Sequence, residues 1–228
     1  MFSTFQIIGH RGWPAKYPEN TLLGFEKAID AGATMIEFDV QLTRYNKLVV
    51  FHDDTAKRLC NRHIEIGNAS QEAIDDLKID GQPIPYLPEV LDKFGDSINY
   101  YIELKTFDKS NIEYKRKLTF YTINEIVRND LRANCLIASF DLNCLKVAKQ
   151  LGYNNLGVCH SDKTQPIPVK VNCKPHKSIK EVDKFTYAWT VNNKRRMKTL
   201  IKQNVHGIVT DHPDRLSEVC ESMPSYAA

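Results

Sequence analysis

The chain has 228 residues, 42% of them hydrophobic and 26% charged, with a net charge of +3. That is the balance of an ordinary globular protein, and so small a surplus is too little to imply a polyanion partner, so no nucleic acid is expected. No apolar segment approaches the roughly 20 residues of a bilayer-spanning helix, so membrane insertion is not expected.

The N-terminus lacks a basic stretch followed by an apolar core and a cleavage site, so an unexported, cytoplasmic protein is expected. Six cysteines are scattered without the close pairs of a zinc site and fit reduced thiols. One domain, residues 1–228, can bury a full core at this length. The pattern assigns no oligomeric state.

The first apolar run, Phe5-Gln6-Ile7-Ile8, reads as a strand and ends at His10-Arg11. Beyond it Leu22, Phe25 and Ile29 repeat at helical spacing. Asn20 or Thr21 can cap that helix, and Gly32 can end it in a left-handed conformation. A second strand, over 35–40, carries Glu37 and Asp39. The turn at Tyr45-Asn46 relies on asparagine's tolerance of left-handed backbone. A third run, Leu48-Val49-Val50-Phe51, then ends at His52-Asp53. Residues 54–99 break the alternation and read as a small insertion that ends in a helix through Val90, Leu91 and Phe94.

The alternation resumes with a strand over 101–105, which contains Glu103 and Lys105. A strand over 136–140 leads to a helix capped by Asp141 and stopped by Gly152, and further strands fall at 156–159, 187–191 and 207–211. Met197, Leu200 and Ile201 mark a helix between the last two, and Pro213 suits the first turn of another. The Pro- and Lys-rich stretch 161–184 offers only a short helix, so one outer helix is expected to be abbreviated. Eight short strands alternating with helices predict an α/β fold. The economical closure is a TIM-type (β/α)8 barrel with a small insertion after the third strand.

Barrel sites form at the C-terminal ends of strands, where His10, His52 and Lys105 fall. Residues two apart on a strand share a face, so Glu37 goes with Asp39 and Glu103 with Lys105. Inward carboxylates are costly unless paired or bound to a cation, and three oxygen donors suit Ca²⁺ or Mg²⁺ better than zinc. An ion-pair network closed with Arg11 and Lys105 is the alternative explanation. His10 and His52 can divide the roles of general base and general acid, because imidazole titrates near neutral pH. Arg11 offers a planar fork for a phosphate, and Lys105 a point charge for a developing oxyanion. The inventory suits metal-assisted phosphoryl transfer on a small-molecule phosphodiester.

A series of motifs in order carries a resemblance: His10-Arg11-Gly12, Pro18-Glu19-Asn20-Thr21, Glu37-x-Asp39, Val49-Val50-Phe51-His52-Asp53, Ile84-Pro85-x-Leu87-x-Glu89, Glu103-x-Lys105, Ser139-Phe140-Asp141, Trp189-Thr190-Val191-Asn192 and Gly207-Ile208-Val209-Thr210-Asp211. With them the chain resembles the glycerophosphodiester phosphodiesterase family over nearly its whole length. The resemblance implies a TIM barrel that hydrolyses glycerophosphodiesters to sn-glycerol 3-phosphate and an alcohol. It implies that Glu37, Asp39 and Glu103 bind a divalent cation, that His10 and His52 are the acid/base pair, and that Arg11 and Lys105 hold the phosphate. Trp189 would lie near the glycerol or the active-site wall, with a place in the barrel core as the other reading. Glu19 and Asn20 would support the site or cap a helix, and Asp211 would be structural.

The departures from the family pattern are Tyr45-Asn46 in place of Asp-Gly, Tyr86 in place of Thr, and Leu59-Cys60-Asn61-Arg62-His63 in place of a Gly/Thr-rich stretch. They fall in or beside the insertion and bear on the substrate rather than on the catalytic residues. Two rival functions use the same inventory: a phospholipase-D-like lyase acting on lysophospholipids, and a barrel that binds phosphodiesters without turnover.

Overall fold

The structure, a computed structural model, describes residues 4–107, 110–159, 169–182 and 185–223. Its strands are β1 (Gln6–His10), β2 (Met35–Leu42), β3 (Leu48–Val50), β4 (Lys78–Ile79), β5 (Gln82–Pro83), β6 (Asn99–Leu104), β7 (Cys135–Ser139), β8 (Leu156–Cys159), β9 (Val171–Pro175), β10 (Thr186–Trp189) and β11 (Gly207–Thr210). The helices are α1 (Leu22–Asp30), α2 (Lys57–Cys60), α3 (Gln71–Asp75), α4 (Leu87–Phe94), α5 (Ile112–Arg128), α6 (Leu142–Gln150), α7 (Lys194–Lys202) and α8 (Pro213–Glu221).

Parallel pairing runs β1-β11-β10-β9-β8-β7-β6-β2, and β2 pairs back onto β1, which closes an eight-stranded barrel. Along β2 the side chains divide by the strand's period of two. Met35 joins the inner cluster with Ile8, Tyr101 and Val209, while Ile36, Phe38 and Val40 join the larger cluster between barrel and helices. Glu37 and Asp39 share the inward parity of Met35, so the pleat itself delivers both carboxylates to the interior. A third apolar cluster, around Phe51, Ile66, Ile74 and Ile84, underlies the insertion.

Two strands differ from the expected set. The run Leu48-Val49-Val50-Phe51 is no barrel stave: β3 pairs antiparallel with the far end of β2, Val40 opposite Val50. Only residues 43–47 separate the two strands, and a parallel return needs a crossover of a dozen or more residues. The remaining stave is β9, where Asn172, Lys174 and Pro175 interrupt the apolar pattern. Of the stretch 161–184, residues 161–168 and 183–184 lie outside the described residues. A short 3-10 turn at His176–Ser178 stands between β9 and β10, and residues 176–182 form no α-helix, so the outer helix is abbreviated there.

Local signals explain most boundaries. Thr21 caps α1, its hydroxyl accepting from the Gly24 amide at 3.0 Å, and Gly32 follows that helix at φ +92. Asn46 takes φ +60 in the β2–β3 turn. Asp141 caps α6 by accepting from the Asn143 amide at 2.9 Å. The sequence pattern gave no forecast of α5, because its buried face includes Lys115, Thr119 and Thr122. Among the described residues no helix is long and apolar enough to cross a membrane, and the six cysteines are free thiols.

The loop after β1 lies directly on α1. Gly12 has φ +89, and a Cβ there would stand 2.7 Å from the Gly24 carbonyl oxygen. Gly12→Ala is expected to cost on the order of 1–3 kcal/mol through overpacking and left-handed strain, read as a lowered urea midpoint at unchanged m-value.

Candidate active site

Three adjacent strands build the core of the site. Register sets His10 on β1 beside Glu37 on β2, and Asp39 on β2 beside Glu103 on β6. One carboxylate oxygen from each of Glu37, Asp39 and Glu103 lies within 4.8 Å of the other two. Glu37 and Asp39 are 3% and 1% exposed, so water screens them little. Burial, with the neighbouring Asp39 and Glu103 charges, pushes Glu37 up to about 8. Burial and Asp39 likewise raise Glu103. Burial also works against the Asp39 charge, yet Lys105 and Arg11 hold that carboxyl below its ordinary range.

The two fixed cations enter from just beyond the strands. Lys105 follows β6 and places its Nζ 2.8 Å from Glu103 and 3.6 Å from Asp39. Arg11 follows β1 at φ +52, a left-handed conformation that a non-glycine residue adopts only when its surroundings hold it. Its amide donates to Glu37 Oε2 at 2.9 Å, its Nε lies 3.3 Å from Asp39, and its Nη1 donates to Glu19 at 2.8 Å. Asn20, fully buried at φ +55, donates its side-chain amide to Asp39 at 2.9 Å. Thr21 rather than Asn20 caps the helix, and Glu19 with Asn20 supports the site.

Each histidine has a carboxylate behind it. His10 Nδ1 lies 2.6 Å from Asp211, and His52 Nδ1 lies 2.7 Å from Asp53. Nδ1 is thereby engaged in both rings, and Nε2 remains for chemistry. Burial pulls His10 down, but the Asp211 hydrogen bond and the Glu37 charge outweigh it and leave His10 raised. Asn192 holds Asp211 in turn, donating to its second oxygen at 2.6 Å. His52 comes from the loop after β3 rather than from a stave. Gln41 fixes that loop by donating to the Phe51 and Asp53 carbonyls, both at 2.7 Å.

His10, Arg11, Glu37, His52, Glu103 and Lys105 all line one cavity of about 200 Å³ at the barrel mouth. Asp39 is buried beside it, ion-paired with Arg11 and hydrogen-bonded by Asn20. Trp189, at the end of β10, lines the opposite wall and meets Phe140 edge to face at 5.7 Å. The site therefore gathers every residue the sequence pointed to. Sequence reasoning gave Asp53, Arg58 and Phe140 no role and read Asp211 as structural. The Asp in each of His52-Asp53 and Thr210-Asp211 was visible, but its imidazole partner was not. Tyr86 is spent elsewhere, its amide donating to Glu89 in a capping box on α4 and its hydroxyl to Asp75.

The parallel barrel thus brings a carboxylate trio, two carboxylate-backed imidazoles and two fixed cations to one mouth, the end of the fold where barrel enzymes carry their active sites. Residues 10–215 match the model of the glycerophosphoryl diester phosphodiesterase family, to which this chain belongs. A glycerophosphodiester phosphodiesterase of Bacillus altitudinis is 31% identical over 96% of this chain and 99% of its own length. One from Caldanaerobacter subterraneus subsp. tengcongensis is 30% identical over 92% and 95%. The crystal structure of the Thermotoga maritima glycerophosphodiester phosphodiesterase superposes with a TM-score of 0.79 at 25% identity, covering 94% of this chain and 98% of that one.

Asp211→Asn removes the charge behind His10 while keeping its shape. The His10 pKa is expected to fall, because the group that raises it is neutralised, and kcat is expected to drop about 10- to 100-fold. Histidine NMR titration and steady-state kinetics check the two outcomes.

Proposed function

We propose that this enzyme hydrolyses glycerophosphodiesters to sn-glycerol 3-phosphate and an alcohol, with a divalent cation on Glu37, Asp39 and Glu103 and with His10 and His52 as the acid/base pair. The observation that carries this reading is the meeting of the carboxylate trio and two carboxylate-backed imidazoles around one cavity. Family membership and the full-length relatives support the substrate class. The cavity's size supports a small substrate, since it falls below the roughly 300–1,000 Å³ of sites for drug-sized ligands.

The residues fit a divalent cation. Arg11 and Lys105 supply two fixed positive charges against the three carboxylates Glu37, Asp39 and Glu103, and the crowded, buried trio resists full ionisation. The hard, all-oxygen donor set favours Ca²⁺ or Mg²⁺ over zinc. When bound, such a cation supplies positive charge that polarises the phosphoryl oxygens and lowers the pKa of an attacking oxygen.

The protein's own residues account for the remaining steps. Arg11 and Lys105 hold the phosphate and offset the negative charge that grows on its non-bridging oxygens. One imidazole takes the proton of the attacking oxygen at Nε2, and the other gives its Nε2 proton to the departing alkoxide. Asp211 and Asp53 keep each ring oriented through Nδ1. Trp189 and Phe140 give the glycerol carbons an apolar wall and exclude water from that side.

We read residues 1–228 as one barrel domain, with the insertion at about 54–99 anchored on the apolar cluster it shares with Phe51. The six free thiols support a cytoplasmic enzyme.

Turnover of glycerophosphocholine and glycerophosphoethanolamine, followed by release of glycerol 3-phosphate, tests the function. Activity is expected in the wild type, abolished by chelator and restored by Ca²⁺ or Mg²⁺. His10→Ala and His52→Ala are each expected to lose about 10²- to 10⁴-fold in kcat. Chelator-insensitive turnover, or activity confined to long-chain lysophospholipids, contradicts the reading.

A further inference from the structure

Arg58 lies on α2, in the insertion, and its side chain is 47% exposed. Its guanidinium nevertheless engages two carboxylates at once, each in a paired contact. Nη1 and Nη2 donate to the two oxygens of Glu19 at 2.9 and 2.8 Å, and Nε and Nη2 donate to the two oxygens of Asp53 at 2.6 and 3.0 Å. Both carboxylates already serve the cavity: Glu19 accepts from Arg11 at 2.8 Å, and Asp53 lies 2.7 Å from His52 Nδ1. A continuous chain of charged contacts therefore runs Arg11, Glu19, Arg58, Asp53, His52.

We propose that Arg58 is a positioning residue, one that fixes the phosphate-binding Arg11 and the acid/base His52 relative to each other. The proposal rests on the roles given to those two residues above. Arg11 and His52 have no shared strand to set their separation, since one follows β1 and the other leaves a hairpin that is not part of the barrel. Arg58 closes that gap from the insertion, so the first turn of the insertion is a working part of the active site. A planar fork with donors along two edges can serve both carboxylates, whereas a lysine ammonium presents a single point charge. The Arg58 side chain is half exposed and α2 buries none of its residues, so loss of Arg58 opens no core cavity and should disturb the site more than the fold.

The test compares the metal-loaded wild type with Arg58→Ala and Arg58→Lys. For Arg58→Ala, kcat is expected to fall about 10- to 100-fold with little change in the thermal midpoint. Guanidinium ion in solution is expected to restore part of that loss, and Arg58→Lys to recover less than the added guanidinium does. A readout independent of turnover is the His52 Nδ1 proton, expected as a protected, downfield NMR signal in the wild type and lost to solvent exchange in Arg58→Ala. An Arg58→Ala enzyme within twofold of wild-type kcat, an unchanged Nδ1 signal, or a loss that guanidinium does not relieve and that follows the thermal midpoint would overturn the proposal. Inactivity of the wild type on every diester would instead defeat the phosphodiesterase reading, and the Nδ1 signal would still decide the role of Arg58.

Discussion

The site depends on three carboxylates that the strands hold close together and largely out of water. Each pair of ionised oxygens separated as in the Glu37, Asp39 and Glu103 cluster repels by about 3–4 kcal/mol at an effective dielectric of about 20. Burial adds to that cost, so the trio resists full ionisation and Glu37 is pushed up to about 8. Lys105 and Arg11 offset part of this, their nitrogens lying 3.6 and 3.3 Å from Asp39. A divalent cation held by the trio, as proposed, would supply the balancing charge. The left-handed Arg11 and the fully buried Asn20 make sense in the same terms, since each points a donor at an oxygen that must stay in place.

Around that trio the structure divides its labour. Barrel staves, locked by parallel register, fix the positions of the carboxylates. The last residue of β1 and the loops that follow the strands carry the residues proposed to move protons or hold phosphate, and a further set of carboxylates, Glu19, Asp53 and Asp211, contacts Arg11, His52 and His10. Tyr86, which departs from the family pattern, caps α4 and leaves the catalytic cavity alone.

The staves and their inward carboxylates were legible because a period of two is visible in a run such as Met35-Ile36-Glu37-Phe38-Asp39-Val40. The role of β3 was misjudged although its signal was present: five residues, 43–47, cannot carry a parallel crossover. β9 was hidden by Asn172, Lys174 and Pro175, and α5 by the polar residues on its buried face. The aiming contacts were illegible for another reason. Asp211 lies 201 residues from His10 in sequence, and only closure of the barrel through β11 and β1 brings them together.

The account stands on the carboxylate trio as a cation site, and calorimetric titration of chelator-stripped protein with Ca²⁺ and with Mg²⁺ tests that most directly. Binding at one site in the wild type, lost in Asp39→Asn and weakened in Glu37→Gln and Glu103→Gln, is the predicted result. Affinity unchanged by all three substitutions, or no binding by a protein that still turns over its substrate, would contradict it.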